Sequence, residues 1–144
     1  MTKKDLMKDP KRVRDNGEVF TPPNFAKQIF SKWMKISNRK PTDVFIDLQC
    51  GQGSLLCAVL EWKIDRGLSY EEALSTILGV DIAEDNVEEC RANLLSCVQG
   101  KQGENYRQIV SKNIIQGDSV KNTLCELFPK HANNSMESHG PLFC

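Results

Sequence analysis

The chain has 144 residues, of which 40% are hydrophobic and 26% charged, and its formal net charge is zero. Those values exclude a disordered chain and leave room for one domain. No apolar run approaches the ~20 residues of a membrane helix, and the charged N-terminus has no apolar stretch behind it to make a secretory signal. The expectation is a cytoplasmic protein with no membrane partner.

The charge is unevenly spread. Residues 1–42 hold 11 Lys/Arg and 4 Asp/Glu, a net of +7, and residues 43–144 hold 8 and 15, a net of −7. Such asymmetry points to a polyanionic partner for the basic part, or to a basic arm that is merely solvated. Six cysteines, at 50, 57, 90, 97, 125 and 144, form no C-x-x-C pair. They read as reduced thiols, several in the core, and no metal site is expected. His131 and His139 lie in a polar tail.

Residues 1–18 are polar, basic and broken by Pro10 and Gly17, which suggests a flexible arm. Thr21 followed by Pro22 reads as a helix start. Phe25, Ile29 and Trp33, with Ala26, Phe30 and Met34, give that helix one apolar face, and Asn38 to Pro41 ends it. Val44 to Asp47 is a strand candidate running into Cys50-Gly51-Gln52-Gly53. A helix is expected over Ser54 to Lys63, and a second over Tyr70 to Ser75, started by a Ser69/Glu72 capping box. Thr76 to Ile82 is the next strand and Asp85 to Val98 the next helix, stopped by Gly100. Residues 100–108 read as a polar loop, and Ile109 to Gln116 as the third strand, ending at Gly117-Asp118. Lys121 to Phe128 suggests a last helix. The organisation expected is an arm (1–18), a folded domain (19–128) and a disordered tail (129–144).

Alternating strands and helices imply an α/β fold, a Rossmann-like parallel sheet of about three strands with flanking helices. Each strand end then carries a polar group: Asp47 with Gly51 and Gly53, then Asp81, then Asp118. The carboxyl ends of parallel strands line the ligand crevice, so these groups should converge. Glycines let the chain turn sharply and let a ligand lie against the backbone. Asp81 is placed to accept from ribose hydroxyls, and Asp118 to accept from a purine amine. The sixth position of a G-x-G-x-x-G fingerprint is Leu56, and no phosphate loop is present. A missing third glycine and an acid ending the first strand argue against a pyrophosphate. An acid there suits an ammonium, such as that of the methionine part of S-adenosylmethionine.

Four segments resemble the adenine-N6 DNA methyltransferases whose cofactor motif comes first, as in restriction-modification and phage enzymes. Glu18-Val19-Phe20-Thr21-Pro22-Pro23 is similar to the family's F-T-P segment. Phe45 to Gly53 (FIDLQCGQG) resembles its D-P-x-C-G-x-G loop, and Gly79-Val80-Asp81-Ile82 its G-x-D-I segment. Asn113 to Asp118 resembles the segment that follows. The resemblance implies S-adenosyl-L-methionine as cofactor, with Thr21 at its carboxylate and Asp47, Gly51 and Gly53 around its methionine part. It implies Asp81 on the ribose, Ile82 against the adenine ring, and Asp118 on the adenine amine.

Two departures stand out. Leu48 replaces the family's proline, and Gln49 replaces a small residue. The tetrapeptide [N/D]-P-P-[Y/F], which holds a flipped adenine, does not occur in the sequence; the one Pro-Pro pair, Pro22-Pro23, belongs to the first motif. No catalytic residue is therefore assigned. The sheet is also truncated relative to a full methyltransferase domain, which would leave its first strand as an open edge, an association site for a protein partner or another copy. Beside a degenerate or truncated gene product with no activity, two readings follow. In one, the chain methylates adenine in DNA, with a partner subunit that supplies the missing motif or with an unrecognised variant of it, and the arm (Lys3, Lys4, Lys8, Lys11, Arg12 and Arg14) contacts DNA phosphates. In the other, it is a non-catalytic cofactor-binding or interaction module, a decoy or inhibitor of a restriction-modification or other host complex. If phage-derived, it would act in the host cytoplasm.

Overall fold

A computed structural model describes residues 7–98 and 104–133. The first described element is a helix, α1 (Pro10–Asn16), where a flexible arm was expected. Asp9 caps its start by accepting from Lys11 N–H at 2.7 Å, and Gly17 ends it in the left-handed region. A helix of seven residues persists only when tertiary contacts hold it. Ion pairs to the body of the protein supply them, as described below.

α2 (Pro23–Ile36) begins two residues beyond Thr21, with Pro23 at its first position and Pro22 as an uncapped start. A proline pushes the residue before it out of the helical region, so in Thr21-Pro22-Pro23 only the last residue can open the helix. Ala26 and Phe30 are buried, whereas Phe25, Ile29 and Trp33 remain substantially exposed. The expected apolar face is thus half covered.

β1 (Phe45–Asp47), β2 (Ile77–Asp81) and β3 (Ile114–Gln116) form a parallel three-stranded sheet in the order β1-β2-β3. Phe45 lies opposite Ile77, and Gly79 opposite Ile114. The fold is mixed α/β, as expected. The first crossover contains α3 (Ser54–Asp65) and α4 (Tyr70–Ser75), and the second contains α5 (Glu84–Cys97) and α6 (Glu104–Asn113). The capping box at Ser69 and Glu72 is present. Between β1 and the crossover helices lies the main core, with Leu56, Leu60, Leu74, Ile77, Cys90 and Leu94 among its buried side chains. Phe30, Phe45 and Trp62 meet edge-on in it, with ring centroids 5.7–5.9 Å apart.

The third strand is shorter than expected. Residues 109–113 continue a helix that starts at Glu104, inside the stretch read as a loop. Tyr106, Ile109, Val110 and Asn113 fall at i, i+3, i+4, i+7, the period of a helix face. Asn113 Nδ2 donates to the Leu74 carbonyl at 3.0 Å, and Tyr106 packs against Tyr70. The β-branched pair Ile109-Val110 had suggested a strand; contact with α4 and α5 overrides that local preference.

The other sheet face is thinly covered. Leu78 and Val80 pack against Phe128 with Leu124 and Leu127 from α7 (Leu124–Leu127), a helix capped by Thr123 and Glu126 and shorter than expected. α8 (Pro129–Asn133) is helical where a disordered tail was expected; the rest of that tail, with Gly100, His139, Lys3 and Lys4, lies outside the described residues. Among the described residues Cys50, Cys57, Cys90 and Cys97 are free thiols, and no cluster of potential metal ligands occurs. No helix among them is long and apolar enough to cross a membrane.

Lys63 is a buried cation that sequence reading did not single out. It is 0% exposed, on α3. Its ammonium donates to the carbonyls of Pro41 and Asp43 at 2.7 and 2.6 Å and to Thr76 Oγ1 at 2.7 Å. It also sits 4.8 Å from the centre of the Phe45 ring. These bonds tie the loop before β1 to the residue before β2.

Candidate functional site: a crevice at the strand ends

The three strands release the chain at one end of the sheet, and two adjoining cavities open there. The first, about 350 Å³, is lined by Gly51, Asp81, Ile82 and Asp118 from the strand ends and by residues 15–20 from the end of α1 and the segment after it. The second, about 260 Å³, is lined by Thr21, Asp47, Gly51 and the first residues of α3. Gln49, Gly51, Val19 and Phe20 border both. Six of the seven residues singled out from sequence therefore converge.

Gly53 is the exception. It lines neither cavity. Its φ is +83°, and a Cβ there would lie 2.5 Å from Cys90 Sγ. Gly53 lets α3 begin against α5, so its role in this structure is packing. Gly51, with φ +50°, faces the Phe20 ring, which a Cβ would approach to 3.3 Å.

Asp81 is held by the protein itself. Oδ2 accepts from Gly51 N–H at 2.9 Å, and Oδ1 accepts from Ala83 N–H at 2.9 Å and Asn86 Nδ2 at 3.1 Å. The carboxylate is thereby fixed in one rotamer while one lone pair of Oδ2 stays open. Asp47 accepts only from Gln49 N–H, at 3.1 Å, among the described residues. Burial, with the nearby Asp81 charge, pushes its carboxyl above the usual range. Asp118 Oδ1 accepts from Val120 and Lys121 N–H, and those bonds hold its carboxyl below the usual range.

The lining is chemically one-sided. Asp15, Glu18, Asp81 and Asp118 are carboxylates, and no Lys, Arg or His lines either cavity. Val19, Leu48, Ile82 and Val120 are exposed apolar side chains that all border the first cavity. Leu48, a departure from the resembling motif, is thus a lip of the crevice, and its carbonyl accepts from Ser119 Oγ at 3.0 Å. Acceptors between apolar lips suit a flat ligand rich in N–H and O–H donors and do not suit a phosphate. The second cavity differs: Asp47 can face a cation, while Thr21 and the α3 N-terminus can face an anion.

The α1 segment closes one side through a network the sequence did not reveal. Arg12 makes two bonds to Asp85, at 2.8 and 3.0 Å, and two to Glu18 Oε2, at 3.0 and 2.6 Å. Lys8 bonds Asp85 at 2.9 Å, Glu89 at 2.6 Å and Asn86 Oδ1 at 3.0 Å. Arg12 first, then Lys8, holds the Asp85 carboxyl well below the usual range. Glu18 Oε2 also accepts from Asn86 Nδ2 at 2.8 Å, whereas its buried Oε1 has no partner among the described residues. The signal in the sequence was the acidic start of α5, with Glu84, Asp85, Glu88 and Glu89. No protein-family model, no curated protein and no solved structure matches the chain.

Proposed function

We propose that this crevice binds S-adenosyl-L-methionine, and that the three-stranded sheet is a truncated, Rossmann-like counterpart of the cofactor half of adenine-N6 DNA methyltransferases. The observation that carries the reading is the convergence of Asp47, Gly51, Asp81 and Asp118 from three strand ends, with no cation in the lining. Asp81 would accept from the ribose hydroxyls, Asp118 from the adenine amine, and Ile82 would lie against the ring. Asp47 would face the ammonium, with Thr21 and the α3 N-terminus at the carboxylate. When bound, the cofactor supplies a methyl group activated by its positive sulfur. Transfer of that methyl to adenine needs a base-holding group, and the [N/D]-P-P-[Y/F] tetrapeptide does not occur here, so a partner subunit or a variant of the motif would have to supply it.

A second reading, a cofactor-binding module without catalysis, is favoured by one observation. Lys8 and Arg12, two of the arm's cations, are engaged by Asp85, Glu89 and Glu18 and are not offered to DNA phosphates. The test of the common premise is calorimetric titration with S-adenosylmethionine, with adenosine as a comparison. Micromolar affinity for the first and weaker binding of the second is the expected result. A folded protein that binds neither overturns both readings. Methyl transfer to duplex DNA by the chain alone would exclude the partner subunit in favour of the variant motif.

A further inference from the structure

Four of the cysteines meet in pairs where α3 packs on α5. Cys90 and Cys97 stand seven residues apart on α5, about two turns. Cys50, in the turn before α3, and Cys57, on α3, have the same spacing. The approach is close enough that a Cβ on Gly53, at the start of α3, would lie 3.3 Å from Cys90 Cα. Cys50 therefore meets Cys90 and Cys57 meets Cys97, each pair in thiol–thiol hydrogen-bond contact. Thiols in such contact need only a small approach to reach the bonding separation of about 2 Å.

The two pairs differ in access and in chemistry. Cys50 and Cys90 are buried in the core, at 6% and 0% exposure. Cys90 donates to Cys50, and that bond, with burial, holds the Cys90 thiol above its usual range. Cys57 and Cys97 are only half-buried, at the margin of the same core, and Cys97 is the last residue of α5. Cys57 donates to Cys97, which pushes its own thiol up and the Cys97 thiol down to about 7. Burial and the Glu61 charge oppose that shift at Cys97, and Lys27 and Ser96 favour it. Lys27 and Glu61, from α2 and α3, are paired with each other at 2.6 Å and half-exposed. One thiol of the accessible pair is thus a nucleophile beside a cation, and the other stands against it as a protonated neighbour.

We infer that Cys57 and Cys97 form a reversible oxidation site, at which a small peroxide joins α3 to α5 through a disulfide. The Cys97 thiolate attacks one oxygen of hydrogen peroxide, the O–O bond breaks, and a sulfenic acid and hydroxide result. Cys57 then attacks the Cys97 sulfur, the S–O bond breaks, and the hydroxyl leaves as water with the Cys57 proton. The hydroxide takes up the proton that Cys97 gave up. Two thiols are oxidised to one disulfide, and one peroxide is reduced to two waters. The bridge would tie together two elements that shape the crevice: α3 starts at the second cavity, and α5 carries Asn86, which bonds Asp81. The inference stands whatever ligand the crevice takes.

The test uses the full chain, reduced and then treated with stoichiometric hydrogen peroxide at neutral pH. Mass spectrometry of its peptides should find Cys97 joined to Cys57, and dithiothreitol should release both thiols. In Cys57→Ala, dimedone should trap Cys97 as its sulfenic acid; in Cys97→Ala it should trap nothing at Cys57. The rate of Cys97 alkylation by iodoacetamide should level off near neutral pH in the wild type. Cys57→Ala should move that profile to more alkaline pH and slow the reaction at neutral pH several-fold. Cys57→Ser keeps a hydroxyl donor, so it should restore the profile while forming no bridge. Circular dichroism identifies the variants that keep the fold. A folded wild type whose two thiols survive the peroxide overturns the inference, as does a bridge from Cys97 to any other cysteine. So does sulfinic acid at Cys97 formed without a bridge, or a profile that Cys57→Ala leaves unmoved.

Discussion

Asn86 holds Asp81. Its side chain is 0% exposed, and its Nδ2 donates to Asp81 Oδ1 at 3.1 Å and to Glu18 Oε2 at 2.8 Å. One amide thus joins the carboxylate in the crevice to the segment that borders it. Asn86→Ala should remove one buried donor from each carboxylate and lower stability by about 1–3 kcal/mol. It should also weaken S-adenosylmethionine binding by about tenfold, because Asp81 keeps its other bonds but loses its fixed rotamer. Titration at a temperature well below the melting midpoint separates the two effects. Unchanged affinity would show that Asp81 needs no such support.

Asp81 and Asp118 should respond differently to substitution. Asp81→Ala removes the acceptor for Gly51 N–H and Ala83 N–H as well as for Asn86, so it should cost stability along with binding. Asp118 is more accessible, and its backbone bonds lie in a surface turn. Asp118→Ala should therefore lower cofactor affinity with a thermal midpoint within a few degrees of wild type. Equal affinity for the nucleoside in Asp118→Ala would remove the amine contact from the proposed site.

The α1 segment should behave as a salt-sensitive clamp. A carboxyl whose folded value is depressed contributes stability above its ordinary range and loses it as pH falls through the depressed value. For Asp85, α1 should stay docked through mildly acidic pH and release only in strong acid. The pairs are partly exposed, so high salt should weaken them. Hydrogen exchange at residues 10–16 checks both trends. Arg12→Ala should speed that exchange with little change in overall melting. Salt-independent protection would show that packing, not charge, holds α1.

How much of this was legible beforehand can be argued from particular residues. Asp47, Asp81 and Asp118 were placed together because parallel strands end on one side, a rule that needs no side-chain detail. The capping box at Ser69 was readable because it is a local pairing. β3 was misread because Ile109 and Val110 favour strands locally, while their contacts with α4 and α5 are distant in sequence. α1 was missed for the same reason: its partners Asp85 and Glu89 lie over 70 residues away. Gly53 was assigned to a ligand because a glycine turn has the same sequence whether a ligand or Cys90 stands against it.

That last distinction is itself measurable. Gly53→Ala combines a left-handed φ with a Cβ 2.5 Å from Cys90 Sγ. It should destabilise the fold by about 1–3 kcal/mol through strain and displacement of α5. Cys90→Ala should relieve the clash and recover part of the loss, leaving the backbone strain. A double variant no more stable than Gly53→Ala would show that the contact with Cys90 is not what requires glycine.

Lys63 predicts a pH dependence of opposite sense to the usual salt-bridged lysine. Burial pushes its ammonium down to about 8 from 10.5. Between those values the unfolded chain holds a proton that the folded chain has released, so for this group stability rises as pH rises. Lys63→Met should be less stable than wild type at neutral pH, because the carbonyls of Pro41 and Asp43 and the Thr76 hydroxyl lose their donor. The gap should then widen in alkali, since only the wild type gains from deprotonation. Urea unfolding of both proteins at about pH 7 and about pH 10 measures that difference, and other titrating groups cancel in the comparison. A gap that narrows in alkali would mean that the three acceptors stabilise the charged ammonium by more than its burial costs, and that the loop before β1 is held by an ionic contact.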